Sequence, residues 1–179
     1  MKKKMQQVLL VTGLFAAASA QAQTNAPMSS QLQMLLQLKG NWETNAATMK
    51  TEGKEYQFAY YADFKTTSDN NGIVMHEWAT IPGMGKLDGT NLAGINMYDG
   101  KVHWFSVDNM GTTHEHVGEF ADSKHFSMMY RGTQEGKEYV ETLTMEFTDA
   151  NTLQLKQVAT LDGKEAALIT GTFHRKKYN

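Results

Sequence analysis

Residues 91–108 read NLAGINMYDGKVHWFSVD, two alternating runs hinged on Asp99-Gly100. An Asp-Gly pair between alternating runs signals a tight β-hairpin, because both residues accept the positive φ that such turns need. Neighbouring side chains on a strand point to opposite sides of the sheet. Ala93, Ile95 and Met97 therefore share a face with Val102, Trp104 and Ser106, while Asn96 goes with Lys101 and His103. The uncharged face is the expected interior.

The same grammar extends in both directions. In EYQFAYYADFK (residues 55–65) Tyr56, Phe58, Tyr60, Ala62 and Phe64 alternate with Gln57, Asp63 and Lys65, so the aromatic side faces inward. Turn signals recur at Glu52-Gly53, Asn71-Gly72, Asp88-Gly89, Asp99-Gly100, 109–111, Asp122-Ser123, Glu135-Gly136, 149–151 and Asp162-Gly163. These breaks predict strands over 41–50, 55–66, 73–80, 90–98, 101–108, 113–120, 125–131, 138–147, 152–160 and 166–176. The segment 80–89 (TIPGMGKLDG) reads as a long Gly-rich connection or a flap, and not as a phosphate loop, since no Lys-Ser/Thr pair follows its glycines. Before the first strand, Ser29 or Ser30 offers an N-cap, Leu32, Met34, Leu35 and Leu36 recur at near-helical spacing, and Gly40 ends the turn. Roughly ten meandering strands with one apolar face are best completed by closing the sheet, which removes exposed edges. The expected fold is all-β: a closed antiparallel barrel of about ten strands with a short N-terminal helix, occupying residues 30–179.

Composition narrows the function classes. The chain has 179 residues, 41% hydrophobic and 20% charged, with 12 Met, no Cys and a formal charge of −2. No basic footprint points to nucleic acid as a partner. Without cysteine there is no disulfide framework, thiolate metal site or catalytic thiol. The methionines read as flexible filling rather than a copper site, because adjacent Met128 and Met129 point to opposite faces of a strand.

The N-terminus carries its own signal. Lys2, Lys3 and Lys4, an apolar run over 8–18 and Ala20-Gln21-Ala22 form the three parts of a secretory signal peptide, residues 1–22, followed by a polar tether over 23–29. Its apolar run is too short for a permanent transmembrane helix, and no later stretch approaches the roughly 20 apolar residues that spanning needs. The expectation is an exported chain, periplasmic or secreted.

Gly40-Asn41-Trp42 stands between the helix and the first strand, and Arg175 lies on the last strand. This resembles the signature of the calycin superfamily, the lipocalins and fatty-acid-binding proteins, in which a first-strand Gly-x-Trp packs beneath an arginine from the final strand. The segments at 38–42 (LKGNW), 94–99 (GINMYD) and 108–110 (DNM) resemble those of a family of secreted bacterial lipocalin-like proteins of unknown function, over roughly residues 30–176. The resemblance implies Gly40, Trp42 and Arg175 as a structural signature. Where haem-binding barrels of the superfamily tend to carry a glycine after the tryptophan, this chain has Glu43-Thr44-Asn45.

Chemistry concentrates in THEHVGEF (113–120). On a strand His114, His116, Gly118 and Phe120 share the inward face, with Ser106 and Asp108 close by across the hairpin. Val74, His76 and Trp78 read as a further inward set, with Glu141 from the eighth strand. Two imidazoles two residues apart on one face suit a divalent metal, with His76 as the third ligand. His103 and His174 share outward faces, which disfavours haem. Enzyme signatures such as a Gly-x-Ser-x-Gly elbow or a His-Glu-x-x-His helix are missing, although Asp108 with His114 offers an acid/base pair for a hydrolase or isomerase. The expected function is binding of a small hydrophobic or amphipathic molecule. Phe58, Tyr60, Trp78, Trp104, Phe120, Met145 and Leu155 would desolvate it, and Ser106, Asp108, His114 and His116 would fix its polar end. A metal or haem carrier is the alternative. No cofactor is named by the sequence.

Overall fold

The computed structural model describes residues 29–176; the expected signal peptide and most of the tether lie outside them. One helix, α1 (Ser30–Leu36), precedes ten strands: β1 (Gly40–Thr51), β2 (Lys54–Thr66), β3 (Gly72–Ile81), β4 (Gly85–Ile95), β5 (Val102–Asp108), β6 (Thr113–Phe120), β7 (His125–Gln134), β8 (Lys137–Asp149), β9 (Thr152–Leu161) and β10 (Lys164–Arg175). Each strand pairs antiparallel with its sequence neighbours, and β1 pairs with β10 to close the barrel. The Ser29 side chain accepts the Leu32 amide at 3.2 Å, the expected N-cap.

Because the chain meanders, alternate turns gather at opposite ends. Those at 67–71, 96–100, 121–124 and 149–151 lie at the base, with α1; those at 52–53, 82–84, 109–112, 135–136 and 162–163 lie at the far end. The base is packed by a large apolar cluster that includes Leu35, Leu38, Trp42, Phe64, Trp104, Phe126, Phe147 and Phe173, and α1 with the turn after it closes the base, burying Leu35 and Leu38 fully. A smaller cluster of Ala47, Met49, Phe58, Ala79 and Ile81 occupies the far half, on the β1–β3 side.

The signature residues meet at the base. The Arg175 guanidinium lies 4.4 Å from the Trp42 ring centre, donating to the carbonyls of Lys39 and, at 2.8 Å, Gln37. The Trp42 indole donates to Leu38 O at 2.7 Å. Gly40 sits at φ +125°, and a Cβ there would meet Arg175 Nη1 at 3.0 Å, so both the backbone and the guanidinium require glycine.

Three expectations need correction. The segment 80–89 is no long connection: β3 runs to Ile81, Pro82-Gly83-Met84 turns, and β4 restarts with Ile81 opposite Gly85. Positive φ at Gly83 (+78°) and Gly85 (+100°) makes so tight a turn available. Met97 belongs to the β4–β5 turn and is 85% exposed instead of inward. Third, β3 has the opposite facing from the expected one. Ile73, Met75, Ala79 and Ile81 are buried, whereas Val74 and Trp78 lie outside with His76. The register explains it, because Trp78 pairs with the outward Tyr61, on which its ring stacks at 5.4 Å.

Candidate functional site

The inward residues of the far half divide into sectors. Phe58, Ala79 and Ile81 form an apolar wall on β2 and β3. Tyr60, Glu77 and Asn91 follow on β2, β3 and β4, and then Ser106, His114, His116 and Glu141 on β5, β6 and β8.

The first polar group is organised by Asn91, 3% exposed. Its Oδ1 accepts from Trp104 Nε1 at 3.1 Å and Ser106 Oγ at 2.5 Å, and its Nδ2 donates to Glu77 Oε1 at 2.8 Å. The Tyr60 hydroxyl donates to the other Glu77 oxygen. Gly89, opposite Glu77 in the register, leaves room for that carboxyl: a Cβ there would approach Glu77 Oε1 to 2.9 Å. Burial pushes the Glu77 carboxyl above its usual value and outweighs the hydrogen bonds from Tyr60 and Asn91; Asp108 and Glu141 add to the rise. Burial, with the Glu77 charge, likewise drives the Tyr60 phenol well up.

The second group is organised by Glu141, 6% exposed. His116 Nε2 donates to Glu141 Oε1 at 2.8 Å, the Tyr139 hydroxyl donates to Oε2 at 2.8 Å, and His114 Nε2 stands 3.9 Å from Oε1. Register accounts for the convergence, since Ser106 pairs with His114, Trp104 with His116, and Tyr130 with Glu141. The Tyr130 ring stacks on His114 at 4.4 Å, and the two imidazoles meet edge-on at 4.6 Å. Burial would raise the Glu141 carboxyl, but His116, Tyr139 and His114 outweigh it and hold it below the ordinary carboxylate value. Burial keeps the His114 imidazole below its usual value, so it is neutral near pH 7. His116 Nδ1 is buried with no hydrogen-bond partner, an unsatisfied group of a kind that is rare and costly in an interior.

The structure thus brings Tyr60, Ser106, His114 and His116 onto one inner wall, with Phe58 beside them and half-buried Leu155 opposite Met145 on the β8–β9 side. Trp104, Phe120 and Met145 are buried in the base cluster. Asp108 lies at the rim, where its Oδ1 accepts the amides of Met110 (2.8 Å) and Thr112 (3.0 Å), which fixes the β5–β6 turn. Trp78 and His76 are on the outer surface; His76 Nε2 donates to Asp88 at 3.0 Å and cannot join His114 and His116. Glu141 takes the third position instead: one donor atom from each of His114, His116 and Glu141 lies within 4.8 Å of the others. Sequence reasoning missed Glu77, Asn91, Tyr130 and Tyr139. For Glu77 a signal existed, namely Ile73, Met75, Ala79 and Ile81 alternating around it.

Two clefts of about 410 Å³ each lie away from this wall. One is lined by residues 43–46 with Thr172 and His174, beside the irregularity in β1, and the other by Gln37, Phe147, Arg175 and neighbours at the base. Neither contains the clustered polar groups, so the chemistry is traced to the inner wall.

No protein-family model matches the chain, and no curated protein matches it either. Solved structures do. Rv2717c from M. tuberculosis superposes with a TM-score of 0.63 at 15% identity, covering 84% of this chain and 99% of that one. The S-type phycobiliprotein lyase CPES from Guillardia theta superposes with a TM-score of 0.58 at 9% identity, covering 86% and 96%. At such identities the likeness establishes the fold alone, a closed antiparallel β-barrel. Among the described residues no helix is long and apolar enough to cross a membrane.

Proposed function

We propose that the barrel binds a small amphipathic organic molecule in its far half. One observation carries this reading: the inner wall there is split between an apolar sector at Phe58, Ala79 and Ile81 and a polar one at Ser106, His114, His116 and Glu141. A core serving stability alone gains nothing from buried carboxyl and imidazole groups, whose desolvation packing does not return. An amphipathic ligand does gain, since one end is desolvated while the other meets oriented donors and acceptors. The likeness to a barrel named a phycobiliprotein lyase is in keeping with a working interior and carries no residue role across. With the secretory pattern at residues 1–22, the binding takes place outside the cytoplasm.

Native mass spectrometry of the protein purified from its own host tests the reading. A retained organic mass is expected. Phe58→Ser should lower its occupancy, whereas Trp78→Ala, on the outer surface, should leave it unchanged. An empty chain that no lipophilic compound stabilises in a thermal-shift screen would overturn the proposal.

A further inference from the structure

We infer that His114, His116 and Glu141 form a binding site for one divalent transition-metal ion, with zinc the best fit to two imidazoles and a carboxylate. This goes beyond binding of an organic molecule and does not depend on it.

Geometry comes first. The three donor atoms lie within 4.8 Å of one another, with His114 Nε2 at 3.9 Å and His116 Nε2 at 2.8 Å from Glu141 Oε1. Donors about 2.0–2.2 Å from a tetrahedral zinc stand roughly 3.2–3.6 Å apart. The His114 separation is close to that already, and the His116–Glu141 contact has to widen by less than about 1 Å. Three protein donors leave a fourth position for water or a ligand atom.

A second observation is independent of spacing. His116 is 3% exposed, and its Nδ1 has no partner. A histidine kept only for packing would be expected to satisfy both ring nitrogens. For Nε2 to ligate the ion its proton passes to Nδ1 and its hydrogen bond to Glu141 gives way, so Nδ1 stays unpaired and the free energy of coordination is what offsets this buried ring.

The surroundings favour a cation. Glu77, Glu141 and, at the rim, Asp108 face the interior, while every described lysine is exposed, Arg131 is exposed, and Arg175 lies over Trp42 at the base. Among the described residues the interior of the far half therefore has carboxyl groups and no lysine or arginine to balance them. The ligands are also held from behind. Tyr139 bonds Glu141 Oε2, so Oε1, which accepts from His116 Nε2, is the oxygen that would turn to the ion, and the Tyr130 ring fixes the plane of His114. Such supporting contacts orient ligands and tune affinity.

The test uses the full chain, stripped with a chelator and titrated with Co(II), read by its visible spectrum, and with Zn(II), read by calorimetry. One equivalent of each is expected. His114→Ala, His116→Ala and Glu141→Gln should each weaken binding about 100-fold, and Tyr139→Phe about tenfold. His76→Ala and His103→Ala, on the outer surface, should bind as the parent does. X-ray absorption of the zinc-loaded parent, which needs no variant to fold, should show two imidazoles and an oxygen-rich remainder. A parent chain that takes up neither ion, or a His114→Ala/His116→Ala chain that binds with parental affinity, overturns the proposal. A retained organic mass in a chain that binds no metal would do the same while leaving the organic-ligand reading intact.

Discussion

Arg175 shows how much one side chain can organise. Its planar guanidinium covers the Trp42 ring and at the same time reaches the carbonyls of Gln37 and Lys39, which follow α1. A lysine keeps the charge but has neither the plane nor the fork. Arg175→Lys should therefore cost about 2 kcal/mol, or roughly 4–8 °C in Tm, measurable by thermal denaturation. His103 carries a different prediction. It bridges Asp99 at 2.9 Å and Glu115 on the outer surface, and these carboxylates raise its pKa above the ordinary value of about 6.5. A raised folded-state pKa gives stability that is complete below the unfolded value and lost as pH rises through the folded one. The parent should thus lose stability, relative to a His103→Gln variant, as pH rises from about 6.5 through the raised folded-state value; parallel melting curves for the two would contradict the bridge.

Among the elements, α1 and β3 teach opposite lessons. The helix was legible: Ser29 caps it, and its leucines close the base as their spacing implies. What spacing did not show is Gln31, whose amide donates to Phe120 O at 2.9 Å and accepts from Phe120 N at 2.8 Å, pinning the helix to the end of β6. Gln31→Ala should cost about 1–2 kcal/mol and speed hydrogen exchange at the Phe120 amide. In β3 the reading failed. A strand with Glu77 at its centre and Trp78 beside it looks better with the tryptophan inside, and only the partners of Glu77, Tyr60 and Asn91 on neighbouring strands make the carboxyl tolerable there. Such satisfaction is tertiary and leaves no local trace. The turn at 82–84 was misjudged for a related reason: glycines that suggest looseness can equally supply the positive φ of a tight reversal.

For the molecule as a whole, the closed ten-strand barrel followed from alternation and turn spacing, because a meander with one apolar face has few other ways to hide its edges. The histidine pair and its inward facing were legible from THEHVGEF. Glu141 was read as inward with them, but its direct contact with His116, 25 residues earlier, comes only from the register through β7. The seam between β1 and β10 has a consequence in time. Every other strand pair joins neighbours in sequence, but this pair joins residues as far apart as Trp42 and Arg175. A chain emerging N-terminus first holds an unclosed ribbon until its final strand arrives. The chain must be made through β10 before there is an inside, so a molecule held there meets a closed barrel.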